Sequence, residues 1–167
     1  MCVKKIIYIM GCTTSKALKK DKSDTDKSDS KKLTVYVPTL KDITVIKVYD
    51  GDTITISAQV VGDPFAPTYY KWSVRLRGID TPEIKGKTQD EKDAAIVARE
   101  ALSKKILDKK IFLKNIKYDK YGRLLADVYF NHLFLNKWML DNKYGVEYDG
   151  GTKIIPPSWK DYQNNKI

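Results

Sequence analysis

RLRGIDTPE, residues 75–83, sets two guanidiniums and two carboxylates within nine residues. A further acidic pair, Asp50 and Asp52, stands in the YDGDT turn, and Arg123 closes DKYGR. Carboxylates are hard oxygen ligands of the kind that Ca²⁺ and Mg²⁺ take, with backbone carbonyls and water completing the shell. Guanidinium forks suit phosphate. In this set Asp50 forms the turn, Asp52 and Asp80 are the candidate ligands, and the guanidiniums of Arg75, Arg77 and Arg123 are the candidates for meeting a phosphate. Glu83, just past the ligand, is placed to orient or deprotonate a water. A cation lowers the charge barrier and activates water. Arginines stabilise a pentacoordinate transition state, and a carboxylate takes a proton. The combination matches phosphodiester hydrolysis. Each residue alone is as well explained by a surface ion pair, so the joint pattern carries the reading.

Other chemistries are excluded by what the chain lacks. Its only histidine, His132, follows Asn131 between apolar runs and reads as a turn residue. Both cysteines, Cys2 and Cys12, lie near the N-terminus, so the rest of the chain has no disulfide framework and no Cys/His metal site. A Ser-His-Asp triad is thereby removed. Lysines outnumber arginines 27 to four, and the four are Arg75, Arg77, Arg99 and Arg123. Net charge is +10, half of it on residues 1–32. The remainder is moderately basic, which fits a polyanionic partner without requiring one.

The chain divides into a basic, polar tail (residues 1–32) and one domain (33–167), which at this length can bury a core. The tail alternates Lys, Asp, Ser and Thr and reads as a disordered spacer. Its apolar run is too short to span a membrane. Ile9-Met10-Gly11-Cys12 resembles a lipoprotein cleavage site. Started at Met10, MGCTTS instead fits a myristoylation pattern at Gly11 with Cys12 open to palmitoylation. Membrane association by either route and an unprocessed tail all remain open, and no compartment is assigned.

The elements that must position the charged set follow from pattern. LTVYVPTL is a first strand or an edge segment, and ITVIKVYDGDTITIS makes two strands about an Asp-Gly turn. KWSVRLRGI is a third strand, stopped at Pro82. By the period of two, Arg75 and Arg77 share a face and Asp80 falls opposite; a bulge at Gly78 would turn Asp80 toward Arg75. Thr88 to Glu91 is a capping box for a helix with Ala94, Val97, Ala101 and Leu102 near one stripe. KIFLKNIKYD and GRLLADVYF form a hairpin. A second helix over Leu133–Leu140 has Asn136 as its cap, and YDGGTKIIPPSW is extended chain. Three strands, a helix, two strands and a helix suit a mainly β, α+β fold: a five-stranded OB-type Greek-key β-barrel with two main helices.

VYDGDTITI, RLRGIDTPE and DKYGRLLADVY, in this order, resemble the three signature blocks of the staphylococcal nuclease (thermonuclease) family. The resemblance runs from Ile43 to Lys153, and YDGGTK resembles a segment after that family's second helix. It implies an OB-fold barrel and a Ca²⁺-dependent endonuclease acting on DNA and RNA, breaking the P–O5′ bond and leaving a 3′-phosphate. It carries over Asp52, Asp80 and the Thr81 carbonyl as calcium ligands and Glu83 as general base or water-orienting group. Arg75 and Arg123 carry over as the phosphate pair. Lys120 and Tyr121 fall where the family contacts the nucleotide's other phosphate, and Tyr148 is the nearest candidate for base stacking. Arg77 has no fixed role.

Three departures stand out. The stretch from Asp52 to Arg75 is longer than in the type enzyme, which suggests an extra loop affecting substrate access. The stretch from Glu83 to the helix is shorter. After Trp159 little remains where the type enzyme has a third helix. The competing reading is a non-catalytic single-stranded nucleic-acid binding module. Such a module has no need of Asp52, Asp80 and Glu83, which repel phosphate unless a cation is present. The protein is expected to be a monomer.

Overall fold

A computed structural model describes residues 34–164. The tail, with Gly11 and Cys12, lies outside the described residues. The order is β1 (Leu40–Asp50), β2 (Thr53–Val60), β3 (Tyr70–Leu76), β4 (Ile79–Asp80), α1 (Gln89–Ile106), β5 (Phe112–Tyr118), β6 (Leu124–Phe130), β7 (Leu133–Phe134), α2 (Leu135–Asp141), β8 (Val146–Glu147) and α3 (Trp159–Asn164). Segment 34–39, expected as a first strand or an edge segment, is not a strand; Pro38 withholds a ladder donor there.

The sheet corrects the expected barrel. Six strands form one open sheet in the order β1-β2-β3-β6-β5, with β7 on β6, and β4 pairs with β8 in a separate two-stranded sheet. Neither the five-stranded OB-type closure nor the expectation of two main helices holds: among the described residues the fold is mixed α/β with three helices. The path ends at β1 on one side and β5 on the other. Among the described residues the bridge Thr44 to Lys110 is isolated, and the chain before β5 does not form a ladder with β1. The chain there is irregular, with Asp108 at φ 58. A few backbone bonds such as Val45 N to Lys109 O (3.1 Å) join it to β1, and no continuous ladder forms.

Alternation builds the core. Ile54, Ile56, Ala58, Val74 and Leu76 face inward and are buried. Thr55, Ser73 and Arg75 alternate with them and take the other face. Each large aliphatic so buried contributes about 1.5–3 kcal/mol. Helix α1 closes this core through Ala98, Leu102 and Ile106 at four-residue spacing, and buries Ala94 and Ala95 as well. Val97, expected on that stripe, is exposed. The small alanines let the β1–β2 turn come close. A Cβ on Gly51 would meet Ala98 Cβ at 3.0 Å and Thr81 Cβ at 3.1 Å. That approach sets Asp52 beside Thr81.

Two further expectations change. Asn136 does not cap α2, whose N-cap is Phe134. It is buried, accepts from Val128 N (2.9 Å) and donates to Arg77 O (2.7 Å) and Ala126 O (3.2 Å), tying α2 to the β3–β6 seam. The long β2–β3 loop starts beyond the Ala58–Tyr70 pair, whereas Arg75 pairs with Thr53. Five residues at about 3.3 Å each put that loop roughly 17 Å along the strands from Arg75. It does not border the charged set. His132 lies in the β6–β7 turn, as its neighbours suggest.

The start of α3 is held by one carboxylate. Asp90, in the first turn of α1, accepts from Trp159 N (2.8 Å), Lys160 N (3.2 Å) and Ser158 Oγ (3.2 Å). Gln163 donates to Ala94 O (3.1 Å), and Trp159 is buried. Asp90→Ala strands the first donors of α3 and is expected to lower stability by about 1–3 kcal/mol. Denaturant unfolding measures this, and amide exchange should accelerate across 159–164 before it does in β2.

Candidate active site

Arg75 is the centre of the charged set. It stands at the end of β3, opposite Thr53. Its Nη1 lies 2.8 Å from Asp52 Oδ1 and its Nη2 2.8 Å from Asp80 Oδ1, with a further bond to Ile79 O (3.3 Å). Burial alone would lower the Arg75 pKa, but the charges and hydrogen bonds of Asp52 and Asp80 outweigh it and raise it. Asp52 and Asp80 are themselves buried. Asp52 Oδ1 also accepts from Thr53 Oγ1 (2.8 Å), and its Oδ2 accepts from Thr81 N (3.2 Å).

Asp80 reaches Arg75 by a turn, not by a bulge within a continuous strand. β3 ends at Leu76, Gly78 takes φ +79, and the chain enters a different sheet as β4. A side chain at that positive φ would be strained, so glycine suits the position. β8 then fixes β4: Asp80 pairs with Val146, Ile79 with Glu147, and Tyr148 N donates to Gly78 O (3.1 Å). Asp80 therefore comes back to Arg75 even though strict alternation sends it away.

Glu83 lies on the exposed loop after β4. Glu91 was expected to complete the capping box at Thr88; Thr88 Oγ1 does accept from Glu91 N (3.2 Å). The Glu91 carboxylate instead accepts from Lys87 N (3.1 Å) and Glu83 N (3.4 Å), which anchors the loop carrying Glu83 to α1. Arg123 comes from the β5–β6 turn. Asp119 there accepts from Tyr121 N (2.8 Å), Arg123 N (2.9 Å) and Arg123 Nε (2.6 Å). Arg123 also stacks over the Tyr121 ring at 5.5 Å.

These residues share two adjoining cavities. A small one of about 200 Å³ takes in Asp52, Arg75, Asp80, Thr81, Glu83 and Arg123, together with Asp50 and Thr53. A larger one of about 650 Å³ shares Arg75, Glu83 and Arg123 and extends to Lys120, Tyr121 and Tyr148. All nine residues singled out from the sequence thus line one or both.

Three residues escaped sequence reasoning. Lys153 Nζ sits 3.1 Å from Asp80 Oδ2 and 3.1 Å from Glu83 Oε1. Burial would lower its pKa, and the two carboxylates more than reverse this. Its only signal was its place at the end of YDGGTK. Asp50, read as a turn former, lines the small cavity, and its pKa is raised by burial first and then by Asp52. Asp119 orients Arg123, and nothing but the DKYGR turn hinted at it. Arg77, in contrast, is explained without substrate. It forms a bidentate pair with Asp127 (3.0 and 2.6 Å), which Asn115 also contacts (2.7 Å), across the β3–β6 seam.

The small cavity suits a hard cation in its donor chemistry. Its carboxylates offer oxygen only, and Asp50 Oδ1 and Thr81 Oγ1 are buried without a hydrogen-bond partner. Buried oxygens in that state are ordinarily satisfied by water or an ion. Among the described residues no three His, Cys, Asp or Glu side chains cluster tightly enough to form a metal centre by themselves.

Comparison with known proteins agrees with the geometry. Residues 73–153 match the family model described as "Staphylococcal nuclease homologue". The chain belongs to the staphylococcal nuclease family. The matched segment holds every candidate residue except Asp52. A "Probable endonuclease" of Schizosaccharomyces pombe is 33% identical over 96 residues, 53% of this chain and 42% of that protein. A "Probable staphylococcal-like nuclease" of Oryza sativa subsp. japonica is 38% identical over 78 residues, 47% of this chain and 20% of that protein. An uncharacterized Bacillus anthracis protein is 34% identical over 122 residues, 67% of this chain and 51% of that protein. The chain therefore spans about a fifth to a half of the curated relatives it matches.

The turn that orients Arg123 has a pH signature. Burial would raise the Asp119 pKa, but its bonds from Arg123 and Tyr121 lower it below the usual carboxylate range. A carboxylate depressed on folding adds stability that is present above the unfolded pKa and is lost as pH falls through the folded one. Asp119→Asn is expected to destabilise by about 1–3 kcal/mol at pH 7. The deficit should shrink once the pH passes below the depressed folded value, as urea denaturation across pH will show.

Proposed function

We propose that the chain is a Ca²⁺-dependent endonuclease that hydrolyses phosphodiester bonds of DNA and RNA, breaking P–O5′ and leaving 3′-phosphates. The observation that carries this reading is Arg75 bridging Asp52 and Asp80 on the wall that Glu83 and Arg123 also line. Cation ligands, phosphate ligands and a base are then within one small cavity, and a nucleotide-sized cavity opens from it.

Asp52, Asp80 and Thr81 would hold the cation, which when bound supplies charge neutralisation and a more acidic water. Arg75 has five N–H donors. Three are engaged by Asp52, Asp80 and Ile79 O, so two remain for a phosphate oxygen. Arg123, held through its Nε by Asp119, keeps its terminal nitrogens for the same phosphate. As water attacks phosphorus, Glu83 takes its proton. The electron pair of the breaking P–O5′ bond stays on O5′, which is then protonated from solvent. The two guanidiniums meet the charge that grows on the equatorial oxygens. Lys120 and Tyr121 contact the next phosphate, and Tyr148 stacks on the base. Lys153 covers one oxygen each of Asp80 and Glu83 and must leave them as the site engages cation and water.

The test is degradation of plasmid DNA and of RNA with Ca²⁺, with Mg²⁺ and with chelator. Ca²⁺-dependent breakdown with 3′-phosphate ends is expected. Glu83→Gln should lose roughly 10²–10⁴-fold in kcat, and Arg75→Lys or Arg123→Lys about 10²–10³-fold. Unchanged breakdown in chelator, or full activity of Glu83→Gln, overturns the mechanism. Nucleic-acid binding with no breakdown under any cation selects the non-catalytic reading.

Lys153 gives a separate readout. Removing an ammonium that competes for Asp80 should tighten Ca²⁺ binding of Lys153→Met by about five- to tenfold in calorimetric titration, from the Coulomb energy of a partly exposed pair. Weaker binding in this variant would show that Lys153 supports the ligands and does not compete for them.

A further inference from the structure

The catalytic cavity continues in a second direction. A cavity of about 300 Å³ shares Asp50, Thr53 and Arg123 with it and runs over the outer face of β1–β3, where Lys47, Tyr49, Thr55 and Ser73 complete the lining. The 650 Å³ cavity shares Arg75, Glu83 and Arg123 and does not touch these four residues. The two outer cavities thus meet at the phosphate-binding arginine and lead away from it along different walls.

The register explains why these side chains lie together. Thr55 pairs with Lys47 on one side and with Ser73 on the other, one row across three strands. Ser73 is two residues before Arg75 on the same face, a step of about 7 Å. Regular alternation along β1 would not present Lys47 and Tyr49 there. The ladder shifts between Val45 and Lys47 and again between Val48 and Asp50. Each shift inserts a residue, and such bulges re-aim side chains. Val45 and Val48 consequently both face the core, while Lys47 is exposed and Tyr49 is 47% exposed. Lys47 Nζ lies 5.7 Å from the Tyr49 ring centroid.

We propose that this cavity is a second nucleotide subsite, for the nucleotide that keeps the phosphate after cleavage. The proposal rests on the phosphodiesterase reading. A scissile phosphate within a polynucleotide carries a nucleotide on each side. With one of them in the cavity of Lys120, Tyr121 and Tyr148, its neighbour must leave past Arg123 along another wall. Tyr49 offers an exposed ring for base stacking, which tolerates any sequence. Lys47 offers an ammonium to the next backbone phosphate, and Thr55 and Ser73 offer hydroxyls to the sugar. Asp50, the one carboxylate on this wall, stands at the junction with the catalytic cavity and so favours a second phosphate toward Lys47.

Two single-stranded substrates with one cleavable linkage test this. One bears a methyl ester where the phosphate-keeping nucleotide would be, and the other bears that nucleotide with a 5′-phosphate. In the native protein with Ca²⁺ the added nucleotide should lower KM about tenfold, the scale of one stacked base. In Lys47→Ala/Tyr49→Ala that gain should fall below about twofold. Tyr49→Phe should keep most of it, and so should Lys104→Ala, a control on α1. Lys47→Gln serves as a second variant, and circular dichroism checks that each is folded. An equal gain in native protein and double variant, or no gain in the native protein, overturns the subsite while leaving the nuclease reading in place. Failure of the native protein to cleave either substrate overturns both.

Discussion

The grip of Asp52 and Asp80 on Arg75 is the constraint around which the rest is arranged. Two buried carboxylates are tolerable beside this half-buried guanidinium only in its company, because removing the partner of a buried charge leaves it uncompensated at a cost on the order of 3–5 kcal/mol. The fold must therefore bring three chain segments to one point. The β2–β3 ladder sets Arg75 opposite Thr53 and next to Asp52. Gly51 lets that turn press onto α1 and Thr81. Gly78 ends β3 and sends Asp80 back, and β8 holds it there. Alternative placements of any segment would leave a carboxylate or a guanidinium buried alone.

The same constraint explains why the site is electrically ready for chemistry. Asp50, Asp52, Asp80 and Glu83 face one cavity of about 200 Å³. Arg75 and Lys153 offset part of that charge from within the chain. Arg123 is kept at the same wall by Asp119, and Arg77 is drawn away to Asp127. Arg75, on β3, belongs to the site, and Arg77, just past the end of β3, belongs to the seam between β3 and β6. Their shared face in the strand pattern did not distinguish them; their partners, 50 residues apart in one case, did.

Much of this was legible in the sequence because it is local. Strand alternation, the Asp-Gly turn, the Thr88 N-cap, the β5–β6 hairpin and the residues at the strand ends each follow from a few neighbouring positions. What failed was non-local. Barrel closure depends on whether the chain after α1 meets β1 as a ladder, and Asp108 at φ 58 and a lone Thr44–Lys110 bridge mark where it does not. The third helix was missed because its capping carboxylate, Asp90, sits on α1. Asn136 looked like a local cap and is a buried tie between α2 and the sheet. Lys153 reaches Glu83 from 70 residues away, a relation no local pattern encodes.

On the proposed function, Asp52 and Asp80 hold a divalent cation beside Arg75 and Arg123. Calorimetric titration of Ca²⁺ into the intact protein and into Asp80→Asn addresses it directly. One Ca²⁺ per native chain is expected, bound at least tenfold more weakly or not at all once Asp80 loses its charge, as follows when a hard-cation site loses one of its two carboxylates. Equal binding by the two proteins, or none by the native chain, would contradict it.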